Sequence, residues 1–202
     1  MILVMRMIKT MNNRKKFTNQ PILKTERLIL RPLVISDDSR IYFLVNNRNI
    51  YNMTAQIPHP YPRELATEWI KTHPCIWREG EGMVYGITLD NNSILTGVIS
   101  LQKINTGAPV LGYWLGVDFW GNGYATEAGG VLCNFAIEQF GVNRIFACHL
   151  ENNPASGHVL KKIGFNFINQ ESNFIPSHQK KENVFNYMLD VKSLVRFAFI
   201  DG

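Results

Sequence analysis

The sequence predicts a mixed α/β fold in which helices cover a central, mostly antiparallel sheet. Two apolar runs on either side of asparagines 91–92 are typical of a β-hairpin. Apolar residues recur at helical spacing through segment 124–140, and Gly141 supplies a stop. This helix joins apolar strand 111–117 to strand 144–150, and such a crossover normally links parallel strands. We therefore expect a single α+β sheet flanked by about four helices.

The positive charge of the chain is concentrated at its beginning. Residues 1–21 hold five basic side chains and no acid, which accounts for the whole net charge of +5. We expect this lead-in to be disordered, residues 22–190 to form one domain, and residues 191–202 to form a tail. Because the charge of the domain is balanced, we expect no nucleic-acid partner.

The three cysteines, Cys75, Cys133 and Cys148, are widely spaced along the chain. No Cys-x-x-Cys pair occurs, so zinc and thioredoxin-like chemistry have no support, and we expect no metal. Unpaired thiols of this kind fit a reducing cytoplasm. No apolar run approaches the length of a membrane-spanning helix, so we expect no membrane partner.

A pair of glycines lies between strand 111–117 and the predicted helix, in the stretch WGNGYATEA that begins at Trp120. No lysine follows the pair, which excludes a P-loop, and Thr126 stands where a dinucleotide turn requires a third small residue. Backbone N–H groups that converge at a helix N-terminus would suit a pyrophosphate without a metal. A plain tight turn and a dinucleotide-binding turn, which Gly121 and Gly123 fit, are the alternatives. The N–H groups of such an anion site would belong to Gly121, Asn122, Gly123, Tyr124, Ala125 and Thr126.

The same stretch resembles the coenzyme A pyrophosphate turn of the GCN5-related N-acetyltransferase superfamily, whose pattern is Arg/Gln-x-x-Gly-x-Gly/Ala. Trp120 replaces the Arg or Gln of that pattern. Two further segments are similar to the family, NPASGHVLKKIGF at 153–165 and TERLILRPL at 25–33. The resemblance spans residues 25–189 and extends to the branch of the ribosomal-protein alanine and serine N-terminal acetyltransferases.

Membership of this superfamily implies an acetyl-CoA-dependent N-acetyltransferase. It implies that strands 111–117 and 144–150 splay apart, so that the pantetheine arm enters the gap between them like an extra strand. Leu115 would then be a backbone partner of the arm, with Val117 close by.

The resemblance also places chemistry around this gap. A backbone N–H near Trp114 or Leu115 would face the acetyl oxygen, and Gly116 is interpreted as a β-bulge that frees these groups. Asn153 is expected to cap its helix and also to reach the amides of the cofactor. Ser156, one turn further on, points to the same gap.

Two departures from the family bear on the proton steps. Leu160 occupies the position of the tyrosine that protonates the thiolate in many relatives, and Val110 and Leu111 occupy the region of their catalytic glutamate. Ser156 is therefore the candidate catalytic residue, as a hydrogen-bond partner of the thiol sulfur or of the cofactor.

Other polar residues are further candidates. His149 and Glu151 could act as bases, although a lone histidine on a strand is more often structural. Lys161 and Lys162 could attract the 3′-phosphate of the cofactor, or they could form a solvated helix face. By analogy, the acceptor site is expected to be walled by Tyr51, His59, Tyr61 and a polar loop at 170–182.

The expected acceptor is a protein or peptide N-terminal α-amine, such as that of a ribosomal protein. An α-amine with a pKa near 7.7–8.0 is partly neutral at cellular pH, whereas a lysine side chain near 10.4 needs a stronger base. The absence of the usual glutamate thus favours the α-amine. The alternatives are a small amine of the polyamine or aminoglycoside type and a non-catalytic CoA-binding regulatory module.

Overall fold

The computed structural model describes residues 17–90 and 93–191. Within them, eight strands form one sheet and five α-helices pack against it. The strands are β1 (Leu23–Lys24), β2 (Leu28–Arg31), β3 (Gly82–Leu89), β4 (Leu95–Gln102), β5 (Val110–Leu115), β6 (Arg144–Leu150), β7 (Asn166–Ile175) and β8 (Lys180–Asp190). The helices are α1 (Asp38–Val45), α2 (Arg48–Met53), α3 (Arg63–Arg78), α4 (Tyr124–Phe140) and α5 (Pro154–Ile163).

The sheet is mostly antiparallel, as predicted. Its strand order is β1-β2-β3-β4-β5-β6-β8-β7, and β5 and β6 form the parallel pair. Strand β6 covers the predicted residues 144–150, whereas β5 ends at Leu115 and not at residue 117. The difference arises because Val117–Phe119 turn into a short 3-10 helix. The predicted hairpin is present as β3 and β4, although its asparagines 91–92 lie outside the described residues.

Neighbouring residues of the central strand β4 face two separate cores. Ile99 packs in the cluster that contains Leu132 of α4 and Ile163 of α5. Val98 points the other way, into a cluster with Ile41 of α1 and Ile70 of α3. Helices α4 and α5 therefore cover one face of the sheet, and α1 and α3 cover the other.

Helix α4 contains a close helix–helix contact at a glycine. A Cβ atom on Gly129 would lie 2.5 Å from Cδ1 of Ile163 in α5. A glycine inside a helix costs about 1 kcal/mol relative to alanine. This cost is offset here by the close packing of the last residue of α5 against α4.

The interpretation of residues 170–182 as a loop is wrong. They form the end of β7, a tight turn and the start of β8, with pairing that continues to Ile175 and Lys180. Strand β7 is the edge of the sheet, and nine of its ten residues are exposed. Because both faces of β7 are exposed along most of its length, its sequence lacks the alternation of apolar and polar residues by which strands are recognised.

Ordered contacts begin before the expected start of the domain at Ile22. The ring of Phe17 lies 5.2 Å from that of Trp77 and 4.8 Å from that of Phe140. The Gln20 side chain donates to Val84 O at 2.8 Å. The division of the chain into lead-in, domain and tail stays a prediction, because residues 1–16 and 192–202 lie outside the described residues.

We predict that Gly97→Ala destabilises the fold through the β4–β5 contact. A Cβ at Gly97 would overlap Trp114 O and lie 2.9 Å from Leu115 Cα, and backbone atoms cannot move aside as a side chain can. We expect a loss of about 2 kcal/mol and a fall in Tm of roughly 4–8 °C by calorimetry. Gly112→Ala is the control, since its Cβ meets only Ser100 Oγ at 3.5 Å. Equal Tm values for the two variants would contradict this account.

Candidate functional site

Strands β5 and β6 separate soon after they meet. Their parallel pairing covers two residue pairs, Val110 with Phe146 and Leu111 with Ala147. Beyond them no ladder joins Gly112–Leu115 to Cys148–Leu150 in the described part of the chain. The predicted splay is present, and it opens a gap in the middle of the sheet.

The bonding of β5 to β4 determines which backbone groups face this gap. Gly116 N donates to Thr96 O at 2.8 Å, which indicates that the even-numbered residues of β5 bond to β4. The N–H groups of Tyr113 and Leu115 therefore point towards β6. Of the two N–H groups expected to face an acetyl oxygen, that of Leu115 has the required direction, and that of Trp114 is directed to β4.

The interpretation of Gly116 as a β-bulge is wrong. The β4–β5 register is unbroken up to Gly97 and Leu115, and Gly116 continues it through its bond to Thr96. A Cβ at Gly116 would lie 2.7 Å from Cδ2 of Leu44 in α1. The glycine is thus explained by the approach of α1, and the splay arises without a bulge in β5.

The glycine turn has the backbone shape that the sequence predicts. Gly121 and Gly123 have φ values of 78° and 79°, in the left-handed region that favours glycine. Thr126 N donates to Gly123 O at 3.0 Å, so its N–H group is used within the turn. Within residues 17–90 and 93–191, the N–H groups of 121–125 donate to no protein acceptor. These groups, at the N-terminus of α4, can receive an anion.

Trp120 connects this turn to the end of β5. Its indole Nε1 donates to Leu115 O at 2.8 Å, while the ring is 40% exposed. The bond occupies the Leu115 carbonyl and leaves the Leu115 N–H directed into the gap. The residue that departs from the family pattern therefore fixes the strand end beside the anion turn.

Arg27 supports the turn from the opposite side, which sequence reasoning missed. Its Nη1 donates to Asn122 O at 3.0 Å, and its Nε donates to Glu127 Oε2 at 2.8 Å. The guanidinium lies 5.0 Å from the ring centroid of Tyr124. The Thr25 hydroxyl also bonds to Glu127, whose charge lies favourably in the first turn of α4. Arg27 and Thr25 belong to the TERLILRPL segment, but their partners lie about 100 residues away in sequence, so the segment alone does not reveal these contacts.

Asn153 caps α5, as predicted. Its Oδ1 accepts from Ser156 N at 3.1 Å, and Pro154 follows at the first helical position. Its Nδ2 donates to Met53 O at 2.9 Å. The side-chain amide therefore links the start of α5 to the end of α2.

Ser156 shares a hydrogen bond with a residue that the sequence did not indicate. Its Oγ lies 2.7 Å from Oη of Tyr113, across the splay. Burial raises the pKa of Tyr113 well above its usual value, which keeps the phenol protonated. Tyr113 Oη also donates to Ser156 O at 3.2 Å, so in the bond between the two hydroxyls either oxygen can be the donor. Leu160, in contrast, is a fully buried core residue.

The contacts of His149 and Glu151 are structural. His149 Nδ1 lies 2.7 Å from Leu150 O, and a carbonyl only accepts, so this nitrogen carries the hydrogen. Its Nε2 then accepts from Tyr187 Oη at 3.3 Å. Glu151 accepts from Asn183 Nδ2 at 2.9 Å. Both nitrogens of the imidazole therefore have partners within the protein, and His149 also lines the cavity beside the splay.

A cavity of about 560 Å³ lies over the splay, between the parallel strands and the α1–α3 side of the sheet. Tyr113, Cys148 and Ser156 border it on the strand side. The opposite wall is mainly apolar and includes Met53, Ile57, Tyr61, Leu65 and Trp69. Among the described residues, no Asp, Glu, Lys or Arg side chain lines it.

Only some of the predicted acceptor-wall residues line the cavity. Tyr61 lines the cavity, as do Asn173 and Ile175 from segment 170–182. Tyr51 and His59 do not line it. The Tyr51 ring packs at a tilt of 54° against that of His178, with 4.4 Å between the ring centroids.

The described residues contain no cluster of three or more His, Cys, Asp or Glu side chains that could hold a metal ion. In residues 17–90 and 93–191, no helix has both the length and the apolar composition needed to span a membrane.

Comparison with known proteins agrees with the fold. The family model for the acetyltransferase (GNAT) domain matches residues 27–166. The N-acetyltransferase YoaA of Bacillus subtilis is 28% identical over 147 residues, covering 72% of this chain and 82% of YoaA. A second B. subtilis protein, "Putative ribosomal N-acetyltransferase YdaF", is 34% identical over 108 residues, covering 52% of this chain and 55% of that protein.

Solved structures share the fold at lower sequence identity. RimL, a ribosomal L7/L12 α-N-protein acetyltransferase in complex with coenzyme A, superposes with a TM-score of 0.74 at 18% identity, covering 86% of this chain and 99% of RimL. The microcin C7 self-immunity acetyltransferase MccE, in complex with acetyl-CoA and AMP, has a TM-score of 0.74 at 17% identity, covering 83% and 94%. The chain belongs to the GNAT family and is an acetyl-CoA-dependent N-acetyltransferase.

Proposed function

We propose that the acceptor is the N-terminal α-amine of a protein or peptide, such as a ribosomal protein. The observation that carries this proposal is the neutral wall of the 560 Å³ cavity, which has no carboxylate among the described residues. Polyamines and aminoglycosides carry several positive charges, and their desolvation in a pocket requires carboxylates. A single α-amine that enters in its neutral form needs none. The ribosomal acceptors named for YdaF and RimL point in the same direction.

The turn and the splay are the proposed binding site of acetyl-CoA, which supplies the acetyl group as a thioester. The N–H groups of residues 121–125 would hold the pyrophosphate, with Thr126 bracing the turn through its bond to Gly123. The N–H of Leu115 would stabilise negative charge on the acetyl oxygen. Val117, Asn153 and Ser156 lie at the two edges of the same gap. The exposed Lys161 and Lys162 remain candidates for the 3′-phosphate.

Ser156 is the proposed donor to the departing sulfur. When Tyr113 Oη donates to Ser156 Oγ, the serine hydrogen is free to point into the gap. Tyr113 acts here by orientation, because its raised pKa makes a tyrosinate too costly for proton release. No carboxylate lines the cavity among the described residues, and His149, which does line it, is bonded to Leu150 O and Tyr187 Oη. In this proposal the amine proton is lost before attack, and the site works on the neutral fraction of the α-amine.

A panel of acceptors tests the proposed substrate class. We expect turnover of peptides that begin with Ser or Ala, and at least 100-fold lower kcat/KM for spermidine and an aminoglycoside, because the wall offers no counter-charge. The matched control is the same peptide with a blocked N-terminus and an internal lysine, which should give no product. The rate of CoA release with pH should follow the titration of each acceptor's own amine. Preferred turnover of spermidine would refute the proposal.

We predict that Gly123→Val weakens CoA binding more than tenfold, a loss of at least about 1.4 kcal/mol. A side chain at a φ of 79° strains the turn and obstructs the approach of an anion to the N–H groups. Gly107→Val is the matched control, since Gly107 has a φ of 76° and lies in a loop away from the site. Calorimetric titration should show normal CoA affinity for the control. Normal affinity for Gly123→Val would mean that the turn has no role in binding.

We predict that Ser156→Ala lowers kcat about tenfold or more, yet by less than the 10²–10⁴ expected for a dedicated acid–base residue. The loss should grow as the pKa of the leaving thiol rises. Measuring kcat with acetyl thioesters of different thiols tests this trend. Tyr113→Phe should show the same trend with a smaller loss, because the serine hydroxyl remains. Ser172→Ala, on exposed strand β7, is the control. A Ser156→Ala loss independent of the thiol would exclude serine as the donor.

A further inference from the structure

The last turn of α2 is capped by side chains from distant parts of the chain. The last four carbonyls of a helix have no partner within it. Three of those of α2 accept from distant side chains: Tyr51 O from His178 Nε2 at 2.9 Å, Asn52 O from Asn152 Nδ2 at 2.7 Å, and Met53 O from Asn153 Nδ2 at 2.9 Å. The donors belong to two turns, the one between β6 and α5 and the one between β7 and β8.

Helix α2 depends on these bonds because it is short. It has six residues, far fewer than an isolated helix needs in water. Directly after it, residues 54–58 form part of the cavity wall. Ser177 Oγ donates to Ala55 O at 2.7 Å, so the β7–β8 turn holds this wall as well. The position of the wall is thus set by residues far away in sequence.

His178 is suited to a helix C-terminus. Its Nδ1 lies 2.9 Å from Glu182 Oε1 and its Nε2 lies 2.9 Å from Tyr51 O. A carboxylate and a carbonyl both accept, so this geometry requires a hydrogen on each ring nitrogen. A positive ring at the end of α2 is stabilised by the helix dipole. Lys180 Nζ also lies 2.8 Å from Glu182 Oε1, and the Tyr51 ring packs at a tilt against the imidazole.

Asn153 joins the two sides of the site through one amide. Its oxygen accepts a hydrogen bond from Ser156 N, and its nitrogen donates one to Met53 O. The first contact places the serine at the splay, and the second places the wall opposite it. A displacement of α2 would change the distance between these two parts.

We propose that Asn152, Asn153 and His178 are positioning residues that hold the wall 54–58 at the correct distance from Ser156 for the acceptor. The inference rests on the proposed function, in which this wall receives the acceptor amine. It predicts that loss of the cap impairs acceptor binding while acetyl-CoA binding and the acetyl-transfer step remain intact. A cap that only stabilises the fold would lower Tm without changing KM.

Asn152→Asp and His178→Gln test the proposal from the two separate turns. The first replaces an N–H donor by a carboxylate that repels Asn52 O, and the second cannot hold both Glu182 and Tyr51. We expect each to raise KM for the peptide acceptor at least tenfold, with kcat within threefold and acetyl-CoA affinity within twofold of the parent. Asn143→Asp is the control, an exposed asparagine just before β6, at the other end of that strand. An unchanged acceptor KM in both variants would overturn the proposal.

Hydrogen exchange provides a readout that needs no turnover. Backbone N–H groups in 54–57 should exchange at least tenfold faster in both variants, while those in the second half of α5 keep the parent rate. Parent-like exchange in 54–57 would overturn the proposal even if KM rises. If no amine is acetylated by the parent protein, the proposed function fails, and the exchange rates still decide whether the cap holds the wall.

Discussion

The separation of β5 from β6 is the constraint on which the rest of the site depends. After two residue pairs the strands separate. Beyond that point, backbone groups of each strand face a gap and not the other strand. Unpaired backbone groups are costly when buried, so such a gap persists only if other groups or a ligand satisfy them. Trp120 satisfies the Leu115 carbonyl, and α5 closes the far side. Helices α4 and α5 both begin at this end, so their N-termini converge on it.

The two sides of the site are built by different means. On the proposed cofactor side, backbone N–H groups and glycine conformations determine the shape, and side chains such as Arg27 hold the turn from its other face. On the proposed acceptor side, side chains from distant turns hold a short helix and the apolar wall that follows it. A wall without charged side chains among the described residues gives little affinity for cationic amines. In the proposed function, this property favours an amine that is already partly neutral in water.

The parts of the site that were predictable are local in sequence. The glycine turn, the cap at Asn153 and strand 144–150 each follow from signals within a few residues. The contacts of Arg27 with Glu127 and of Tyr113 with Ser156 join residues 100 and 43 positions apart, and no local pattern reports such pairs. Gly116 was misinterpreted because a glycine beside a bulge and one beside a packed helix look alike in sequence. Segment 170–182 was misinterpreted because an edge strand can be polar on both faces.

Trp120 stands where the family pattern has Arg or Gln, and this difference changes the source of positive potential at the turn. Arg27 contacts the turn through Asn122 O, but its guanidinium is paired with Glu127 at 2.6 Å, so the pair adds little net positive charge. In the proposed site, the attraction for a pyrophosphate then comes from five N–H dipoles and the start of α4, since the indole supplies no charge. Dipoles act at short range and require a fixed geometry. The contacts of Arg27 with Asn122 and of Trp120 with Leu115 fix that geometry, so the shape of the turn replaces the missing charge.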